Sequence, residues 1–429
     1  MVGKVTGEEQ SIWNVASIDE VCTRVTSGGT PSRRKPEYYE GGVWPWVKTQ
    51  ELKDCWLDDT EEMITEDAVA NSSAKVLPKK TVMLAMYGAT VGKLGVLRRP
   101  MTCNQASCAM IVDEKKADFR FLYYQLLNAR PKLISLATGA AQQNLSGTVI
   151  KSLKFFFPSV PEQKRIAHIL GTLDDKIDLN RRMNVTLEAM AQTLFQSWFV
   201  DFDSVRRNAE GGESRPEDSL FPDSFEDSAI GEIPAGWEIM SLYETATYRN
   251  GAPFKPADFC SNGDGLPVVK IAELKTGISE QTKWSNKQLG SDQMIDTGDL
   301  LYSWSGSPDT SLDAFLWSRG PGLLNQHIFK VITSSDAEKR FVYYLLKHLR
   351  PILVETARDK QTTGLGHVTV ADMKRLQVCR PQKDVLTAFD RLIAPIFDKA
   401  FSNTVENQTL ATLRDTLLPK LISGEHSIR

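Results

Sequence analysis

The feature that most constrains this chain is that it repeats itself. "PWVKTQELK" at 45–53 returns as "PVVKIAELK" at 267–275, 222 residues later. "NQ" at 104–105 returns at 325–326, "RFLYYQLLNARP" at 120–131 returns as "RFVYYLLKHLRP" at 340–351, and "KSLKFFFP" at 151–158 returns as "KRLQVCRP" at 374–381. The order is kept and the offset drifts only between 220 and 223. A period this long is no solenoid, so the chain is two copies of one unit of about 200 residues with its tail. At 429 residues it is in any case too long for a single core.

Each copy follows one plan. Short β-like runs punctuated by Gly and Pro come first, such as "VWPWVKT" and "TVMLAMYG". A helix follows, over Phe119–Asn128 in the first copy and 341–349 in the second, each stopped by Arg-Pro. A Gly/Gln-rich loop comes next, "TGAAQQNLSG" or "DKQTTGLGH", then a short strand and a long helix. The expected fold class is α+β, two similar domains of mixed short strands and helices joined by two long helices. The expected division is 1–158 for the first domain, 159–203 for the first long helix, 204–236 for an acidic linker, 237–381 for the second domain, and 382–429 for the second long helix and tail.

The long helices carry a heptad seam. In the first, Ile166, Leu170, Leu173, Ile177, Asn180, Asn184, Leu187, Ala191, Leu194 and Trp198 alternate in steps of four and three. Adding 223 gives Phe389, Ile393, Ile396, Ala400, Asn403, Asn407, Leu410, Arg414, Leu417 and Leu421, a seam with one polar intruder, Arg414. Both copies place two Asn at the same central positions. A seam Asn costs stability and fixes register and partner, because a buried amide needs a matching amide. The two helices therefore pair with each other. The central placement favours an antiparallel coiled coil with Asn180 and Asn184 facing Asn407 and Asn403. Linker length alone does not force this, since 36 flexible residues reach about 30 Å. The expected shape is a pseudo-two-fold dumbbell on helices roughly 55 Å long, suited to a ligand with two similar sites at fixed spacing. Duplex DNA is the obvious candidate.

Composition narrows the class. No run approaches the ~18 apolar residues of a membrane helix, and the N-terminus shows no apolar signal region, so a cytoplasmic protein is expected. The six cysteines form no C-x-x-C pair and the five histidines are scattered, so reduced thiols and no metal site are expected. Net charge is −3, but residues 201–238 hold eleven acids against three Arg, which leaves +5 for the rest.

"PEQKRIAHILGTLDDKIDLNRRMNVTLEAMAQTLFQSWFVDFD" at 161–203 resembles the central region of specificity subunits of type I restriction–modification enzymes. "SFEDSAIGEIPAGWE" at 224–238 and "TLRDTLLPKLISGE" at 412–425 match the same pattern, and the likeness runs in order along essentially the whole chain. The resemblance implies two target-recognition domains, each reading one half of a bipartite gapped DNA sequence, with the antiparallel helices as the ruler that sets the gap. It implies two methylation subunits docked on this chain and carrying S-adenosylmethionine. It also implies two motor-nuclease subunits carrying ATP and magnesium. No cofactor is expected on this chain, which is expected to be non-catalytic.

Rival chemistries lack their residues. "AMYGATVGKLG" at 85–95 looks like a phosphate loop, but Gly88 and Gly92 bracket three residues instead of four, and Leu94 stands where a metal-holding hydroxyl belongs. It reads as a Gly-rich turn between two apolar strands. An adenine methyltransferase needs a (D/N)-P-P-(Y/F) tetrapeptide, which is absent. A metal-dependent nuclease needs two acids and a Lys on one metal. Glu51-Leu52-Lys53 and Glu273-Leu274-Lys275 supply only half of that and read as strand ends with solvated charges. A non-catalytic two-headed adaptor for protein or RNA stands as the first alternative, and a self-contained nuclease as the second.

Side chains that read DNA are polar, forked and on loops: Arg pairs with guanine, Asn or Gln with adenine, and Lys positions phosphate. The first copy offers Arg33, Arg34, Lys48, Tyr87, Thr90, Lys93, Asn104, Gln105, Gln142, Gln143 and Asn144. The second offers Lys270, Trp304, Ser305, Asn325, Gln326, Lys360 and Gln361. The recurring Asn-Gln pairs also suit a structural turn. The two copies differ most in these loops, which predicts two different half-sites. Finally, Phe195, Trp198, Phe199 and Phe202 exceed what the seam needs and suggest either a surface for partner subunits or packing on the second domain.

Overall fold

The computed structural model describes residues 13–137, 144–211, 215–261, 263–361 and 365–423. They divide into two compact units, Met1–Leu179 with Asn407–Arg429, and Asn180–Glu406. Gln142 and Gln143 lie outside the described residues.

The first unit is built on a five-stranded sheet in the order Cys22–Ser27, Ser107–Val112, Val82–Ala85, Leu94–Leu97, Cys55–Leu57. All neighbours are antiparallel except the last pair. Val82–Ala85 and Leu94–Leu97 are buried on both faces, which is why they read as unbroken apolar runs. A smaller sheet joins Met63–Ile64, Trp44–Val47 and Thr102–Cys103. Asn14–Ser17 pairs with Lys154–Phe157, closing the unit just before its long helix.

The second unit repeats this design. Thr247–Asn250, Ile328–Ile332, Leu300–Ser303 and Asp313–Leu316 form its antiparallel main sheet. Trp284–Ser285, Leu266–Val269, Gly322–Leu324 and Met294–Ile295 form the smaller one, and Glu238–Ser241 pairs with Gln377–Arg380.

The helix after the main sheet differs between copies. In the first it spans Phe119–Asn128, breaks at Ala129, and restarts as Arg130–Leu136 with Pro131 in its first turn. In the second, the expected stop at Arg-Pro does not occur, and one helix runs Asp336–Asp359 straight through Pro351. An interior proline removes one backbone bond, but Leu353, Val354 and Ala357 continue past it the buried stripe that includes Leu349 and hold the helix on the core.

Both long helices have 40 residues, Val160–Phe199 and Lys383–Ile422, offset by 223. Within the first unit, Ile166 and Leu170 share a core with Leu418, Leu421 and Ile422, and Leu417 packs against it. Asp174 pairs with Arg414 at 2.7 Å. Within the second, Asn184 accepts from Asn403 Nδ2 at 2.8 Å and donates to the Ala400 carbonyl at 2.9 Å, while Asn180 donates to Glu406 at 2.8 Å. In each unit low numbers on one helix meet high numbers on the other, so the helices pair antiparallel. Ile177, Asn180, Ala191, Ile393 and Asn403 are buried, and Leu173, Leu187, Leu194, Ile396, Asn407 and Leu410 are half-buried. Asn184 faces Asn403 as the seam predicts. Asn180 meets a carboxylate, and Asn407 belongs to the other unit.

Each unit clamps its sheet to its long helix in the same way. Arg120, in the first turn after the sheet, donates to Asp175 at 3.0 Å. Arg340, 220 residues on, donates to Asp398 and Asp390, both at 2.9 Å. These arginines were legible only as part of the repeated "RF" pair, and their aspartates as Asp175 and Asp398, 223 apart.

The acidic stretch is no free linker. Asp203–Ala209 is helical, Phe225–Ser228 and Gly231–Pro234 form a hairpin, and Val205, Phe221 and Trp237 enter the second core. Arg207 grips the buried Asp218 through both nitrogens, at 2.7 and 3.0 Å, and holds its carboxyl well below the usual carboxylate range. Burying Asp218 against Arg207 helps tie the acidic segment down.

Candidate nucleic-acid interface

Most of the basic residues singled out from the sequence are committed inside the chain. Arg33 pairs with Glu62 at 2.6 Å and lies over the Tyr39 ring at 4.3 Å. Lys48 is held by Glu61 and Glu62 at 2.8 and 2.9 Å. The hydrogen bond to Arg33 holds the Glu62 carboxyl below its ordinary range, with Lys48 reinforcing it. Lys93 pairs with Asp54 at 3.1 Å, and Asp54 also receives Arg130. Lys360 and Arg375 both converge on the buried Asp372. Lys270 lies 5.5 Å from the Phe259 ring. A cation locked to a carboxylate gives little net field to a phosphate. Arg34 differs: it is exposed and makes no ion pair among the described residues.

The near-miss phosphate loop is a turn. Gly88–Thr90 is a single 3-10 turn, and Gly88 and Gly92 take positive φ of 67° and 82°, a conformation suited to glycine. The Thr90 hydroxyl donates to the Tyr87 carbonyl at 3.3 Å, and Lys93 is occupied by Asp54.

The recurring Asn-Gln pairs sit at one geometry in both units. In the first, the Gly29 amide donates to the Cys103 carbonyl at 2.9 Å, and the Asn104 amide to the Val47 carbonyl at 3.0 Å. In the second, Ala252 donates to Leu324 at 2.8 Å and Asn325 to Val269 at 3.0 Å. The crossing needs glycine twice: a Cβ on Gly28 would stand 1.8 Å from the Cys103 oxygen, and one on Gly251 would stand 2.2 Å from the Leu324 oxygen. At each crossing the Asn is half-buried and bonded to the turn that follows it, Asn104 accepting from the Ser107 hydroxyl at 3.0 Å and Asn325 from the His327 amide at 3.4 Å. The Gln beside it is exposed in both units.

Other candidates gather around these crossings. Tyr87 and Gln105 line one recess of about 520 Å³ in the first unit, with Ser27 and Lys151 on its rim. Asn144 forms a backbone bridge with Tyr87. In the second unit Trp304 donates its indole N–H to Asn250 at 3.0 Å and packs against His327 at 5.7 Å, while Ser305 pairs with His367. Gln361 is exposed beside the second Gly-rich loop. Thr30, Asn250, His327 and His367 went unnoticed in the sequence. Alignment of the two copies finds two of them: Ser27-Gly28 falls on Asn250-Gly251, and Asn144 on His367.

Comparison with known proteins places this geometry. The family described as "Type I restriction modification DNA specificity domain" matches residues 10–189 and again 234–414. The two matches fall on the two repeats and together cover most of the chain.

The chain belongs to the type I restriction modification DNA specificity family.

It is 26% identical over 432 residues to the type I restriction enzyme MjaIX specificity subunit of Methanocaldococcus jannaschii, covering 99% of this chain and 95% of that protein. It is 25% identical over 339 residues to the HindI specificity subunit of Haemophilus influenzae, covering 68% of this chain and 73% of that one. The crystal structure of a type I restriction-modification S subunit from M. genitalium shares its fold, with a TM-score of 0.59 at 16% identity over 100% of both chains.

In this member of the specificity family, the aromatic cluster is interior. Phe195, Trp198 and Phe199 are 2%, 4% and 8% exposed in the second core. Phe199 meets Phe389 at 4.8 Å, Trp198 meets Phe221 at 5.0 Å, and Phe202 packs edge-on against Trp237 at 5.8 Å. Of the two readings left open by the sequence, packing on the second domain holds for Phe195, Trp198 and Phe199, and the partner-subunit reading is corrected for these three because their area lies inside the core; Phe202 is half-buried. The Glu-Leu-Lys segments are also corrected, from strand ends to capped helical turns. Glu51 accepts the Lys48 amide at 2.6 Å, and the buried Glu273 accepts the Lys270 amide at 3.0 Å and the Thr282 hydroxyl at 3.1 Å. None of the six thiols is joined in a disulfide among the described residues, and burial pushes those of Cys22, Cys103, Cys108 and Cys379 up to about 12. No helix among the described residues is long and apolar enough to cross a membrane.

Proposed function

We propose that this chain is the sequence-specific DNA-recognition subunit of a type I restriction–modification complex. Each unit reads one half of a bipartite gapped target, and the paired helices set the spacing. Two methylation subunits dock on the chain and supply S-adenosylmethionine chemistry. Two motor-nuclease subunits supply ATP- and magnesium-dependent cleavage. The chain itself is non-catalytic and works in the cytoplasm. The observation that carries this reading is that both family matches fall on repeated units with the same Gly-crossing and exposed Gln. The relatives are named as specificity subunits of such enzymes.

The test is single-molecule methylome sequencing of a host carrying this chain with its methylation subunit, against a host lacking only this chain. The expected result is a gapped two-part adenine-methylation motif that disappears without it. Unchanged methylation would sink the reading in favour of a two-headed adaptor. Because the cations are largely paired internally, the isolated chain binds DNA weakly and the methylation subunits complete the basic surface. A gel shift of chain alone against the assembled complex checks this, and tight specific binding by the chain alone would contradict it.

A further inference from the structure

We propose that Gln105 and Gln326 are the equivalent base-reading residues of the two units, each contacting the adenine of an A·T pair in the major groove of its own half-site. This rests on the DNA-recognition reading above and sharpens it to one side chain per unit.

The two residues stand at the same place in the repeat, and the chain restrains both in the same way. In each unit a backbone amide of the Gly loop donates to the carbonyl just before the Asn, and the Asn amide donates to a carbonyl of the smaller sheet, so the crossing is held from two sides. A glycine is sterically required at each crossing, because any Cβ would drive into the carbonyl of the residue just before the Asn. The neighbouring Asn satisfies the local turn, and the Gln is left exposed. A rigid backbone carrying an exposed planar amide is what direct readout requires. The amide accepts from adenine N6–H and donates to N7 at once, and that fork discriminates only when its orientation is fixed.

The orientation is fixed in both units, by different groups. In the first, the Thr30 hydroxyl donates to Gln105 Oε1, which sets the oxygen end, and among the described residues no other group takes its second lone pair or its N–H donors. In the second, Gln326 Nε2 lies 3.3 Å from His327 Nε2 and donates to it when that ring nitrogen is unprotonated, which sets the nitrogen end. The surroundings differ as well. Gln105 opens onto the recess beside Tyr87, whereas Gln326 lies beside His327, whose ring packs against Trp304, itself tied to Asn250. The same reader in two different settings accounts for two half-sites that share an A·T position while differing around it.

Most of the other forked or basic candidates are excluded by their own bonds. Arg33, Lys48, Lys93 and Lys360 each hold a carboxylate, and Asn104 and Asn325 cap turns.

The experiment is methylome sequencing with the complete complex carrying Gln105→Ala or Gln326→Ala. Both side chains are exposed, and an unchanged melting transition of each variant confirms folding. The expected result is that Q105A loses roughly tenfold or more of its discrimination at one A·T position of one half-site, leaving the other half intact. Q326A does the same in the opposite half. A motif unchanged by both variants overturns the inference while leaving the function standing. So does a uniform fall in methylation at every sequence, which would mark a phosphate contact. A wild-type chain that directs no gapped motif overturns the function and this inference together.

Discussion

At one seam position the two units solve the same packing problem with opposite chemistry. In the first, Tyr124 donates to Asp174 at 2.7 Å and Asp174 takes Arg414 at 2.7 Å, with both charged side chains mostly buried. In the second, the repeat-equivalent residues are Tyr344, Phe397 and Ala191, all buried in one apolar core, with the Tyr344 and Phe397 rings 6.2 Å apart. The tyrosine is unchanged, and its partner changes from a carboxylate to a ring. A buried ion pair and a well-packed apolar pair are close in net stability, while a half-removed ion pair is costly. The difference therefore buys no obvious stability. It makes the two long helices unlike. If the first helix paired antiparallel with a second copy of itself, Asp174 would face Ala191 without a cation. Arg414, an intruder when the seam is read alone, is the residue that marks the first helix's proper partner.

The comparison can be tested most strongly at Arg414. Arg414→Ala leaves Asp174 buried beside a phenol with no cation, and should cost about 3 kcal/mol in denaturant unfolding. The double variant Asp174→Phe with Arg414→Ala installs the second unit's solution in the first and should recover most of that loss. If the double variant is no more stable than the single one, the two seams are not equivalent solutions.

A smaller effect separates the units by acid. Asp218 in the second unit has its carboxyl pulled down, chiefly by the hydrogen bond from Arg207. A depressed folded-state pKa gives stability that is present above the unfolded value near pH 4 and is lost as pH falls through the folded one. Asp218→Asn should remove on the order of 2 kcal/mol at neutral pH and flatten the acid limb of the stability curve. An acid limb identical to the wild type would show that Asp218 contributes nothing to it.

Asn184→Ala should cost about 1–2 kcal/mol, because it strands the amide of the buried Asn403. Replacing both by Leu should be nearer neutral in stability, a double-mutant comparison read by thermal melts. The smallest effect is expected at Arg34, which is exposed and makes no ion pair among the described residues. Arg34→Ala should weaken DNA binding by the complex about equally for all sequences and lower the salt slope by about one. A sequence-dependent loss would make Arg34 a base reader instead.

Much of this molecule was legible from the repeat. Copies 220 to 223 residues apart predicted two like units, the step of four and three predicted paired helices, and the doubled Asn predicted their direction. The candidate interface was less legible, because a sequence shows which residues are charged and not which are already paired. Arg33 and Lys48 looked available until Glu62 was found between them. Phe195, Trp198 and Phe199 looked like surplus apolar surface until Phe341 and Phe389 closed over them.

The sequence by itself determined periodicity, duplication and family, since these depend on order along the chain. Tertiary structure alone decided which polar groups remain open. Asp54 lies 39 residues from Lys93, and Asp174 lies 240 residues from Arg414. Such pairings depend on how distant segments come together in space, and no local pattern records them.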